Sequence, residues 1–142
     1  MTNIFLKLFE YQTLTNRALL LLLFYVAAAS TFIAGVLHLA LIPMFFALTP
    51  FDVTIFFLVS GAAQLFWVIP ILRRWSNLWY YVGIGGTAVL IALFVIAVPG
   101  RGLQVSEFEI VIEVVQIVFI ISSIMIVREK MLNAKLASAR ES

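Results

Sequence analysis

The chain has no cysteine, a single histidine and four prolines, and only 11% of its residues are charged. Without cysteine there can be no disulfide, no thiolate metal site and no thiol nucleophile. A lone histidine without cysteine is a poor start for a copper or zinc site, which gathers several imidazoles or thiolates. Charge is scarce against the roughly 25% of an ordinary soluble domain. The 9 basic and 7 acidic residues leave too thin an excess for a phosphate backbone. Apolar side chains take the place of the missing groups: 64% of the 142 residues are hydrophobic, and the mean hydropathy is +1.15. A small soluble domain cannot hide that much apolar surface. Soluble enzyme, nucleic-acid binder and disordered linker are therefore all poor readings.

A membrane-spanning helix needs about 20 mostly apolar residues. Four segments meet this requirement, over about 18–42, 53–72, 79–98 and 108–127. Breakers separate them: Pro43 and Pro50 after the first, Arg73-Arg74-Trp75-Ser76-Asn77 after the second, and Pro99-Gly100-Arg101-Gly102 before the fourth. The expected fold is an all-α membrane protein, a four-transmembrane-helix bundle forming one integral membrane domain over 1–142. With such short connections, consecutive helices should be antiparallel neighbours. The first run is too long for the core of a cleavable signal peptide, and no small-x-small site follows it. Ahead of it, Ile4, Phe5, Leu8 and Phe9 share one face, the pattern of a short N-terminal helix lying in the membrane interface. An ordered tail packed on neighbouring subunits fits those residues equally well. The tail from Arg128 to Ser142 is rich in helix formers and should extend the fourth helix into water.

Basic residues orient the bundle. Lys7, Arg17, Arg73, Arg74, Arg128, Lys130, Lys135 and Arg140 fall on one side and Arg101 on the other. Both termini should face the cytoplasm of a multi-pass cell-membrane protein, with Trp75, Trp79, Tyr80 and Tyr81 in the inner aromatic belt.

Polar groups inside hydrocarbon are costly and are functional candidates by default. The candidate intramembrane polar site comprises His38, Gln64, Glu109, Glu113 and Gln116. At 1.5 Å per residue, His38 lies roughly 6 Å and Glu113 roughly 7–8 Å inside the outer ends of their helices, hence at similar depth. Glu109, Glu113, Gln116, Ile120 and Ser123 form one helical stripe, and Ala27, Thr31, Ala34, Gly35 and His38 another. On the second helix, Ser60, Gln64 and Trp67 share a face. Small residues at Ala27-x-x-x-Thr31-x-x-x-Gly35 and Gly83-x-x-x-Thr87 permit close helix approach. Two readings of His38 and Glu113 stand: a proton- or cation-binding site with Glu109 or Asp52 as third group, or a structural hydrogen bond between the first and fourth helices. Pro70 marks a kink or an early helix end. No nucleophile–base arrangement and no phosphate-cradling glycine loop is visible.

The run Phe56-Phe57-Leu58-Val59-Ser60-Gly61-Ala62-Ala63-Gln64-Leu65-Phe66-Trp67-Val68-Ile69-Pro70, with Arg73-Arg74-Trp75, resembles a group of small four-helix membrane proteins of ammonia-oxidising archaea. Trp79-Tyr80-Tyr81-Val82-Gly83-Ile84-Gly85-Gly86-Thr87, Gly100-Arg101-Gly102, Glu113-Val114-Val115-Gln116 and the late His38 are similar too. The similarity runs from about Ala27 to about Ile126. It implies an accessory subunit of the copper-dependent archaeal ammonia monooxygenase. Copper would lie elsewhere in the complex, with no cofactor in this chain, and no catalytic residue is carried over.

The leading expectation is a non-catalytic accessory or structural subunit whose partners are other integral membrane subunits and lipids. The alternative is a small oligomeric proton- or cation-coupled carrier using Glu113 and His38. A third reading is a quinone or apolar-molecule site lined by Trp67, His38 and Gln64, resting on residue type alone.

Overall fold

The computed structural model describes the backbone of residues 2–45, 51–100 and 106–141, and the side chains of 14–43, 51, 53–96 and 106–139. Four helices account for the described chain: α1 (Thr2–Phe45), α2 (Phe51–Leu72), α3 (Asn77–Gly100) and α4 (Glu107–Glu141). Each holds a stretch long and apolar enough to cross a membrane, at Leu14–Pro43, Val53–Leu72, Asn77–Ile96 and Glu107–Ala139. The protein is all-helical, with four candidate spans.

The N-terminal segment is not a separate interfacial helix. It is continuous with the first span, because α1 runs unbroken for 44 residues, about 66 Å at the rise of an α-helix. No glycine or proline interrupts residues 2–34, so nothing in the sequence stops the helix from propagating. Pro43 lies inside the last turn of α1 rather than beyond it. The C-terminal extension of the last span is helical, in line with its composition, and α4 reaches Glu141. Pro50, Arg101 and the side chain of Asp52 lie outside the described residues.

α1 is the central helix, packed along its length against α2 on one side and α4 on the other, while α3 lies mainly against α4. α2 and α3 meet only lightly. The short α2–α3 connection therefore does not make these helices packed neighbours over their length. The turn fixes their ends, and the helices diverge from there.

A reciprocal glycine contact joins α1 to α2. A Cβ added at Gly35 would lie 3.0 Å from the Gly61 carbonyl oxygen, and one added at Gly61 would lie 2.9 Å from the Gly35 carbonyl oxygen and 2.8 Å from Leu39 Cγ. Only hydrogen atoms fit between the two backbones. Lipid tails are as apolar as leucine, so helices in a bilayer associate through such close van der Waals contact. Along α1, the buried residues Phe24, Ala27, Thr31, Ala34, His38 and Leu41 alternate at spacings of three and four. On α4, Ile112, Gln116, Phe119, Ser123 and Ile126 follow the same alternation. Three–four spacing of this kind is what helices packed side by side over several turns require.

The end of the bundle carrying the α2–α3 turn is latched. Arg73 N–H donates to Ile69 O (2.9 Å), Arg74 N–H to Ile71 O (3.0 Å) and Trp75 N–H to Pro70 O (3.0 Å). These last two bonds form a Schellman cap, whose C′ residue is left-handed. Here that residue is Arg74, at φ 53°, instead of glycine. Left-handed backbone costs a non-glycine residue about 1–2 kcal/mol. The Arg74 guanidinium sits 5.1 Å from the centroid of the Phe24 ring, and such a cation–π contact returns about 0.5–1 kcal/mol or more. Phe24 tilts against Tyr80 with ring centroids 6.4 Å apart. Lys130 covers the other side of the latch, 5.1 Å from the Tyr80 centroid, and its Nζ donates to Trp75 O at 3.0 Å. One cluster thus ties α1, the turn, α3 and α4. It also corrects the expected aromatic belt: Tyr80 is buried, while Tyr81 faces outward. The buried position lets Tyr80 fill the space between Phe24 and Lys130.

Substituting Gly61→Ala should destabilise the protein by about 1–3 kcal/mol, since the new methyl must push apart two backbones in contact. Gly85→Ala should be neutral or slightly stabilising, because nothing lies within 4 Å of the added carbon. Reversible unfolding in mixed micelles measures both.

Candidate functional site

Helical side chains tilt toward their own N-terminus. In an antiparallel pair this brings together residues that are offset in register. His38 on α1 and Gln64 on α2 converge in this way near the Gly35–Gly61 crossing. His38 Nδ1 lies 2.9 Å from Ala34 O. A carbonyl can only accept, so Nδ1 carries the proton of that bond and Nε2 is the acceptor of the neutral ring. The Gln64 side chain lies within hydrogen-bonding reach of the His38 ring, and Phe57 stacks obliquely on it at 6.0 Å between centroids. One turn along, Thr31 Oγ1 donates to Gln64 O at 2.9 Å. Polar groups on the α2 face of α1 are thus largely satisfied within the bundle.

The α4 face is different. Gln116 is buried with neither Oε1 nor Nε2 partnered. Ser123 Oγ and Glu113 Oε2 are buried and unpartnered as well, as is Gln64 Oε1 on α2. Ser122, next to them, turns back on its own helix and donates to Val118 O at 2.7 Å. An unsatisfied buried polar group costs about 1–3 kcal/mol. Several in one seam therefore mark hydrogen-bonding capacity that the isolated chain does not use. The set holds three carbonyl or carboxyl acceptors, the amide donor of Gln116 and the hydroxyl of Ser123. It suits water or a small polar group.

The candidate residues divide accordingly. His38, Gln64 and Gln116 are buried in the bundle. Glu113, Glu109 and Ile120 flank the α4 seam, half-buried. The buried stripe of α4 is thus rotated slightly from the one the sequence suggested, with Ile112 and Phe119 in place of the acidic residues. His38 and Glu113 do not pair with each other among the described residues: the ring bonds Ala34 O, and Glu113 Oε2 has no partner. Glu109 belongs to the start of α4. Its Oε2 accepts from Ser106 N–H (2.8 Å) and Ser106 Oγ (3.0 Å), and its own N–H donates to Ser106 Oγ (3.3 Å). This is a capping box, legible in Ser106-Glu107-Phe108-Glu109 and missed by a reading that sought intramembrane acids. Trp67 is also occupied, for its Nε1 donates to Trp79 O at 3.1 Å and its indole covers Gly83.

Among the described residues, no three His, Cys, Asp or Glu side chains gather closely enough to hold a metal ion. No protein-family model, curated protein or solved structure matches the chain.

Replacing Gln116 with leucine, which is of similar size, removes two unpartnered atoms. The variant should be more stable than wild type in detergent by about 1–3 kcal/mol, read from unfolding midpoints. A loss of stability would show that internal water already satisfies the amide.

Proposed function

We propose that this chain is a non-catalytic helical subunit of a larger membrane complex, resident in the cell membrane with both termini in the cytoplasm. The observation that carries the reading is the outer face of α3. Only 17% of its most apolar stretch is buried, against 44% for α1. Gly85 and Gly86 sit on this helix with nothing within 4 Å of where a Cβ would project. Adjacent outward glycines form a notch that no lipid chain requires, and small residues are what lets a further helix approach closely in a bilayer.

The complex in this reading is the copper-dependent archaeal ammonia monooxygenase, in keeping with the resemblance of the segments around Gln64 and Gly83. In that complex copper would be held by other subunits, and this chain would supply packing surface. Orientation rests on the placement of eight of the nine basic residues on one side of the apolar runs 18–42, 53–72, 79–98 and 108–127.

A second reading keeps Glu113 as the carboxylate of a proton- or cation-coupled carrier, favoured by its buried and unpartnered Oε2. His38, bonded to Ala34 O, would act there only after releasing its present contacts.

Purification from native membranes in mild detergent should yield stable co-purifying membrane subunits. Gly85→Leu together with Gly86→Leu should reduce their recovery several-fold while leaving the fold intact. A wild-type chain isolated alone, as a monomer, would defeat the subunit reading. If that happens and Glu113→Gln abolishes ion-driven uptake into proteoliposomes, the carrier reading takes its place.

The cysteine-free chain also makes topology straightforward to map. In intact cells, a membrane-impermeant maleimide should label Arg101→Cys and spare Ser138→Cys. The opposite pattern would reverse the orientation.

A further inference from the structure

On the outer surface, at the end of the bundle where the α2–α3 turn lies, α3 and α4 enclose a groove of about 340 Å³. Tyr81 and Ile84 form its α3 wall, and Ile124, Val127, Arg128, Met131, Leu132 and Lys135 its α4 wall. The lining changes character along α4. Ile124 and Val127, opposite Ile84, are wholly apolar. Arg128 and Lys135 follow, two helical turns apart and on one face, separated by about 10 Å of helix rise. No carboxylate lines the groove. Both cations are exposed, and neither the guanidinium nor the ammonium has a protein partner among the described residues.

The level of the groove relative to the membrane follows from the latch. Lys130 Nζ reaches the carbonyl of Trp75 in the turn, so residue 130 of α4 is level with the loop between two spans. Ile124 and Val127 then lie within the hydrocarbon, while Arg128 and Lys135 bracket the headgroup layer, which is about 5–8 Å deep on each side of a bilayer. Each long side chain can swing several ångströms along the groove, so the two charges can converge on one phosphate. An apolar slot leading from hydrocarbon to a pair of unpaired cations at headgroup depth matches one kind of molecule in both halves. Basic pockets between helices at this level recognise anionic lipid headgroups.

We propose that this groove is a binding site for one anionic phospholipid. The phosphate is held between Arg128 and Lys135, and an acyl or isoprenoid chain is laid along Ile84, Ile124 and Val127. The proposal does not depend on the subunit reading, since the site is complete in a single chain. The hydroxyl of Tyr81, at the rim, is placed to bond the headgroup. The charge complement selects an anionic lipid over a zwitterionic one, whose own ammonium would meet the two protein cations.

The test uses the full chain in detergent, titrated with phosphatidylglycerol or phosphatidylcholine and read by native mass spectrometry as the fraction retaining one lipid. Wild type should retain phosphatidylglycerol several-fold better than phosphatidylcholine. Arg128→Gln and Lys135→Gln should each weaken phosphatidylglycerol retention roughly fivefold, and the double variant should lose the preference. Arg73→Gln removes an exposed cation from the same end of the bundle but outside the groove, and should change nothing. Ile124→Trp fills the apolar half with both charges intact and should weaken both lipids together.

Equal retention of the two lipids by wild type would overturn the proposal. So would an unchanged preference in the double variant, or an equal loss in Arg73→Gln, which would make the attraction a property of net charge. Inorganic phosphate bound at millimolar concentration in place of the lipid would assign the cations to a free anion and also overturn it.

Discussion

The arrangement of the bundle depends on the contact of two glycines. At Gly35 and Gly61 the backbones of α1 and α2 approach until each carbonyl oxygen lies within 3.0 Å of where a Cβ on the other glycine would stand. In water such closeness would be one packing option among several. In a bilayer, apolar burial between helices contributes little, and close approach is a main source of adhesion. The crossing brings Thr31 within reach of the Gln64 carbonyl and His38 within reach of the Gln64 side chain. It also leaves the opposite face of α1 free to receive α4. Moving the two helices apart by the width of a methyl group would disturb each of these interactions together.

The turn end is held by a different chemistry. There the helices meet through aromatic faces and cations, with Arg74 over Phe24 and Lys130 over Tyr80. This explains the shape of the α2–α3 pair. Trp67 reaches across to the Trp79 carbonyl and covers Gly83, so the two helices touch where the aromatics are. Above that level α3 carries Gly85 and Gly86, which offer no side chain to grip α2. α3 therefore leans on α4 and leaves its outer face open.

Much of this was legible in the sequence, and the misses have physical causes. Helix number and approximate position follow from apolar run length, a strong and local signal. The stripe Ala27, Thr31, Gly35 marked a face of close approach without saying which helix meets it, because the counterpart Gly61 is a lone glycine with no motif of its own. The continuity of α1 was missed because an amphipathic pattern before a span reads as a change of environment. An α-helix needs no break to pass from water into lipid. His38 and Glu113 were set side by side by depth, which gives distance along the bundle axis but not rotation about it. A shift of one residue in the buried face of α4, from Glu113 to Ile112, moves the acid to the flank. The role of Glu109 was misjudged for a related reason. An acid in the first turn has the helix's free N–H groups at hand and meets them before it meets another helix.

The two faces of α1 thus carry different burdens. Toward α2, the polar groups bond one another and the contact is backbone to backbone, so that face sets stability. Toward α4, the seam is apolar at Phe119 and Ile126 but leaves the amide of Gln116 and the hydroxyl of Ser123 without partners. A chain selected for self-sufficiency in lipid would be expected to place leucine or alanine there, since each unpaired group works against folding. Polar groups kept in that position are accounted for by water held in the seam, since side chains so fully buried are closed to another subunit. These groups belong to α4 and the open face to α3, and neither helix takes part in the glycine crossing. Function can therefore draw on those helices without loosening the contact that holds α1 to α2.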